Sequence, residues 1–150
     1  MEDYFFISVI VILVFYILLQ KIQSNLKQVK LEDKISVALI VNKSLNMSTG
    51  KILAQLGHAL FNIVTLFHHK KDLYETWKQS RTEVVLYEAS IEEIKSLSTV
   101  LHKHNIRYNK IIDAGRTQIP SGSNTILIIG PGNSNVIDNF LSHLPLYSKN

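Results

Sequence analysis

Two short segments concentrate side chains that could do chemistry. In the first, Lys51, Gln55 and His58 stand at i, i+4 and i+7. On a helix of 3.6 residues per turn they fall within roughly 60° of one another, so a cation, an amide and an imidazole share one face. Lys51 would sit in the first turn, where unpaired N–H groups favour an anion over another positive charge. A lysine so placed suits holding a phosphate or a developing oxyanion; a solvated polar face is the alternative. The second segment reads Asp113-Ala114-Gly115-Arg116-Thr117-Gln118-Ile119-Pro120. Arg116, Thr117 and Gln118 present a cation, a hydroxyl and an amide within three positions, which suits a loop that holds an anionic substrate and orients a water. The alternative is a structural turn in which Asp113 accepts backbone N–H groups.

Other chemistries find no support. The 150 residues include no cysteine, which excludes disulfide scaffolds, cysteine zinc sites and a thiol nucleophile. Gly50-Lys51 is not a phosphate-binding loop, because Leu45 stands where the first glycine belongs and Ile52 follows the lysine. There is no Gly-x-Ser-x-Gly element. His68-His69 and His102-x-His104 lack partners at metal-ligand spacing and read as surface histidines. Gly130-Pro131-Gly132 reads as a turn.

These residues need elements to position them. Ile35–Val41 is a nearly continuous β-branched run, as expected for a strand buried on both faces. Asn42–Gly50 is a polar loop in which Ser48 or Thr49 can cap a helix starting near Gly50 and running to about Phe67. Ile52, Leu56, Ala59, Ile63 and Leu66 form its apolar stripe, widened by Leu53, Leu60, Val64 and Phe67. A short helix over 72–79, a strand over 83–87, a helix over 91–104, strands over 108–112 and 125–129, and a helix over 133–141 complete the pattern. Strands alternate with helices, so the class is α/β with a sheet of about four strands covered on both faces. In open sheets of this kind sites lie at the carboxyl ends of strands, which directs attention to 42–51, 113–118 and 130–132. Lys51 opens a helix and Asp113 ends a strand at the same expected edge, so the two should meet in one cleft.

The N-terminus is a different kind of sequence. Tyr4–Leu19 contains no charge, proline or glycine, and Gln20 to Ile22 can lengthen it toward a single membrane span. The start is acidic rather than basic and no small-residue cleavage site follows, unlike a secretory signal. Glu2 and Asp3 precede the run while Lys21, Lys27, Lys30 and Lys34 follow it, which places the remainder in the cytosol. The expected organisation is an anchor over 1–22, a polar linker over 23–34 and a domain over 35–150. A short anchor with basic residues after it suits the mitochondrial outer membrane or the endoplasmic reticulum. The net charge is +4 for the whole chain and +3 for residues 31–150, which permits an RNA partner without requiring one.

The segments 47–59 (MSTGKILAQLGHA), 112–118 (IDAGRTQ), 120–125 and 129–131, in this order, resemble the type-2, archaeal and eukaryotic peptidyl-tRNA hydrolases, across residues 35–147. The resemblance implies a small mixed sheet between helices, an often dimeric protein, and metal-free, cofactor-free hydrolysis of the ester between a peptide and the terminal ribose of tRNA. Matched position by position, it marks Lys51, Asp113, Thr117 and Thr125 as catalytic, and Gln55 and His58 as part of the same face. With Arg116 and Gln118 from the loop, these make a substrate-binding set. The family loop usually reads V-R-x-D-L-K-M-G-K-G-K; here Asn42, Ser44, Asn46 and Thr49 replace an arginine, an aspartate and two lysines, which should weaken contact with tRNA. A membrane-bound adaptor with reduced activity and a non-cleaving RNA-binding module are the competing readings.

Overall fold

A computed structural model of the chain describes residues 12–21, 34–80 and 83–148. The chain divides into two units, Met1–Asp33 and Lys34–Asn150. In the first, α1 (Ile12–Lys21) carries eight consecutive apolar side chains, Ile12 to Leu19, all exposed. The expected span outside 12–21, and the linker over 23–34 apart from Lys34, lie outside the described residues.

The second unit begins with β1 (Ile35–Asn42), every residue of which is buried. Its alternation serves two cores. Val37 and Leu39 face α2 (Thr49–His69), where Ala59, Ile63 and Phe67 close over them. Ala38 and Ile40 face α4 (Ile91–Lys103) and α5 (Ser134–Leu141), through Ile94, Leu97, Leu101, Ile137 and Leu141. A strand buried on both faces must be apolar at both parities, as Ile35–Val41 is. Between α2 and α4 lie α3 (Lys71–Gln79), whose Trp77 meets Phe67 edge-on at 4.9 Å, and β2 (Val84–Ala89). After α4 come β3 (Tyr108–Ile112) and β4 (Asn124–Asn133).

The sheet order is β2-β1-β4-β3. β2 is parallel to β1, while β4 is antiparallel to both β1 and β3. The class is therefore α/β with a mixed four-stranded sheet and helices on both faces. The C-terminal tail covers the outer edge of β2, with Tyr147 N donating to Leu86 O at 2.9 Å and Glu88 N to Pro145 O at 3.2 Å.

Two expectations need correcting. Gly130-Pro131-Gly132 is not a turn that ends a strand; it lies within β4, at a register shift against β1 between Ser36 and Ala38. Gly130 has φ +93°, and a Cβ there would stand 2.7 Å from Ser36 O, so the irregularity is closed tightly onto its neighbour. Because β4 runs antiparallel, these residues lie at the opposite edge of the sheet from Asn42 and Ile112 and take no part in the site. The apolar stripe of α2 is also narrower than its sequence. Leu53 (64% exposed), Leu60 and Val64 (62%) face outward, since the sheet covers only the side bearing Ile52, Ala59, Ile63 and Phe67. Among the described residues α2 is the one helix long and apolar enough to cross a membrane, and its covered side packs on the sheet through Ala59, Ile63 and Phe67.

Candidate functional site

At the edge where β1 and β3 end, the chain leaves β1 through a short 3-10 turn over Lys43–Leu45 and enters α2 at Ser48. Ser48 caps the helix: its Oγ accepts from Lys51 N at 3.3 Å. This sets Lys51 in the first turn, pointing toward the end of β3. Gln55, one turn on, is 4% exposed, and its amide needs partners at that depth.

The partners come from β3 and β4. Asp113 follows β3 directly and is 8% exposed. The loop after it closes into a neck, Asp113 N donating to Ser123 O and Gly122 N to Asp113 O, each at 2.9 Å. Gly115 makes the reversal with φ +74°; a Cβ there would stand 2.4 Å from Ser121 N. The turn aims Gly115 N at Asp113 Oδ2, 2.9 Å away. Asp113 Oδ1 accepts from Lys51 Nζ and, at 3.0 Å, from Gln55 Nε2. Lys51 Nζ also donates to Thr117 Oγ1 at 3.1 Å. Thr125, fully buried in β4, lies with its hydroxyl 2.7 Å from Gln55 Oε1 and 3.0 Å from Ile111 O. The Asp113 carboxylate can only accept, so it takes the Nε2 end of the Gln55 amide and leaves Oε1 to the Thr125 hydroxyl, which donates.

Three donors on one carboxylate have an electrostatic consequence. The hydrogen bond from Lys51, then the backbone bond from Gly115, hold the Asp113 carboxyl below its ordinary range against the opposing effect of burial; the Lys51 charge and the Gln55 amide add to the lowering. The pair is stripped of most water, with the two side chains 11% and 8% exposed. Asp113 is thus an anion held in place, not a base waiting for a proton. Lys51 is an ammonium held by it, with Thr117 polarised on its far side.

This set stands in a cleft of about 590 Å³ whose lining includes Lys51, Gln55, His58, Lys110, Arg116 and Thr117. His58 and Arg116 are exposed there, on α2 and on the loop. Lys110, on β3, adds a cation that the sequence reading did not single out. Its place in a short alternating strand beside Asp113 was the available signal. Gln118 is placed differently from the rest: its side chain bonds Ser48, with Ser48 N donating to Oε1 at 3.2 Å and Nε2 donating to Ser48 Oγ at 2.9 Å. Asn42, read as a lost cation in an open loop, is buried. Its Nδ2 donates to Asn124 O at 2.8 Å and its Oδ1 accepts from Ser44 N at 3.1 Å. Among the described residues no group of three or more metal-ligating side chains occurs.

Known proteins share this arrangement of sequence. A family model described as "Peptidyl-tRNA hydrolase PTH2" matches residues 35–147. A Bos taurus protein named "Peptidyl-tRNA hydrolase 2, mitochondrial" is 36% identical over 111 residues, and its human namesake 34%; each match covers 73% of this chain and 62% of the relative. A "Peptidyl-tRNA hydrolase" of Saccharolobus solfataricus is 30% identical over 118 residues, covering 75% of this chain and 98% of the relative. The chain therefore spans under two thirds of its mammalian relatives and nearly all of the archaeal one.

Proposed function

The chain belongs to the peptidyl-tRNA hydrolase PTH2 family, and from that premise we propose that it hydrolyses the ester joining a peptide to the terminal ribose of tRNA. The observation that carries the reading is the closed hydrogen-bonded set of Lys51, Asp113, Gln55, Thr117 and Thr125 at a cation-lined cleft. Water attacks the ester carbonyl carbon, and Lys51 stabilises the oxyanion that develops. Thr117, whose oxygen accepts from Lys51, turns its proton to the cleft and hydrogen-bonds the ribose oxygen as the carbon–oxygen bond breaks; one proton of the attacking water reaches that oxygen through solvent, and the carboxylic acid formed releases the other. Asp113 holds Lys51 aimed, Gln55 holds Asp113, and Thr125 holds Gln55. Arg116, His58 and Lys110 offer charge and hydrogen bonds to the acceptor end.

The test uses the full chain in detergent with an N-acetyl-aminoacyl-tRNA. Free tRNA and N-acetyl-amino acid should appear, and Lys51→Ala should abolish most of the turnover. Retention of the tRNA without ester loss would favour a non-cleaving RNA-binding or adaptor protein.

We read residues 4–22 as a membrane anchor that leaves the domain in the cytosol. The uncharged run, the exposed apolar α1 and the lysines that follow support this. The mammalian relatives named as mitochondrial favour the mitochondrial outer membrane over the endoplasmic reticulum. Alkaline extraction should leave the chain with the membranes, and protease should reach the domain without lysis. A glycan on Asn46 would reverse the orientation.

A further inference from the structure

We propose that Gln118 is a positioning residue, whose amide latches the Arg116–Thr117 loop to the capping turn of α2 and so sets Thr117 against Lys51. The proposal rests on the peptidyl-tRNA hydrolase reading. Gln118 and Ser48 form a two-point contact: Ser48 N donates to Gln118 Oε1 at 3.2 Å, and Gln118 Nε2 donates to Ser48 Oγ at 2.9 Å. An amide has one acceptor end and one donor end, and Ser48 presents their complement. One hydrogen bond lets the loop swivel; two fix its orientation. The same Ser48 oxygen accepts from Lys51 N, so cap, cation and loop form one bonded unit.

The loop needs this second fastening. Residues 114–118 are all exposed. The neck at Asp113, Gly122 and Ser123 holds the base of the loop, and buried Ile119 holds its far side. Thr117 lies between them, tied by its side chain to Lys51 at 3.1 Å. A shift of about 1 Å in a group that must meet the reacting atoms can cost roughly a hundredfold in rate. With both ends of its amide engaged on Ser48, Gln118 serves the geometry of the site rather than the substrate.

The experiment compares wild type, Gln118→Ala, Gln118→Glu, Ser48→Ala and the Gln118→Ala/Ser48→Ala double variant, as full chains in detergent, on N-acetyl-aminoacyl-tRNA. Gln118→Ala should lower kcat about tenfold or more while KM stays within about twofold, as expected of a lost orientation. The double variant should be little worse than Gln118→Ala, because both remove the same contact. Gln118→Glu should keep kcat within about threefold: its carboxylate can accept from Ser48 N and, with the serine proton reversed, from Ser48 Oγ, at a helix end that favours an anion. A glutamine that bonded the anionic substrate would give the contrary pattern, with Glu the most damaging change and KM the parameter that rises. That pattern, or fully multiplicative losses in the double variant, overturns the proposal. If wild type cleaves no acyl-tRNA, the functional reading fails, and the latch is judged by amide exchange instead. Faster exchange at Ser48 N–H in Gln118→Ala supports it, and unchanged exchange overturns it.

Discussion

A carboxylate that already accepts from an ammonium, an amide and a backbone N–H has little basicity left, and this decides how Asp113 should behave when altered. If its task is to hold Lys51, the two residues act as one unit. Lys51→Ala should lower kcat by on the order of 10²–10³ with little change in KM, as for a lost charge-stabilising group. Asp113→Asn should cost a similar factor, and the double variant should be little worse than either; steady-state kinetics on one acyl-tRNA decides this, and multiplicative losses would separate their roles. The same carboxylate predicts a pH dependence. Its folded-state pKa lies below aspartate's ordinary 3.8. The stability it contributes is therefore complete above that ordinary value and disappears as pH falls through the depressed one. In urea unfolding, the advantage of wild type over Asp113→Asn should be constant above about pH 5 and shrink below about pH 4, within the range set by ordinary carboxylate titration. An advantage that grows on acidification would mean the bonds from Lys51 and Gly115 do not govern this group.

Within elements, two glycines make opposite predictions. Gly115 turns the site loop with φ +74°, and a Cβ would collide with Ser121 backbone, so Gly115→Ala should cost about 1–3 kcal/mol and most of the activity. Gly57 lies exposed in mid-helix with nothing within 4 Å of an added Cβ, so Gly57→Ala should gain about 0.5–1 kcal/mol and leave kcat alone. Thermal unfolding beside an activity assay separates the two; a destabilised Gly57→Ala would mean that face is closed in solution. How far each element was readable follows from where its information resides. The β3 run over 108–112, the Ser48 cap and the largely apolar β1 are local signals, and they were legible from composition. The direction of β4 was not, because nothing in Thr125–Ile129 records whether its neighbour runs with or against it; hence the misplacement of Gly130–Gly132. Nor could α2 say which part of a wide apolar surface would be covered: Leu53 and Val64 look like core until the sheet is known to reach only as far as Ile52 and Phe67. At the site, Lys51 and Asp113 were legible by type and position. The Gln118–Ser48 contact was not, since it joins residues 70 positions apart through rotamers alone.

For the whole molecule, the division at Asp33–Lys34 predicts independence. Both core clusters and every hydrogen bond of the site lie in residues 34–150. Deleting residues 1–30 should give a soluble, folded protein with unchanged kcat in solution and no association with vesicles; circular dichroism, flotation and ester release test this together. Aggregation of that product would mean the N-terminal run belongs to the core. The sheet order carries a further consequence, for the protein's own synthesis. β1 takes β2 on one side, but its other side is reserved for β4, which begins at Asn124, near the end of the chain. At roughly 5–20 residues added per second, the most apolar strand of the domain waits on the order of ten seconds after emergence with one row of backbone groups unclaimed. Throughout that interval it is an open template for any other extended chain. A protein built this way stays open to wrong pairing at β1 until residues 124–133 have emerged, and only then can it settle into the state in which Lys51 and Asp113 meet. Slowing the ribosome between codons 90 and 124 should therefore lower the soluble yield more than the same delay placed before codon 35.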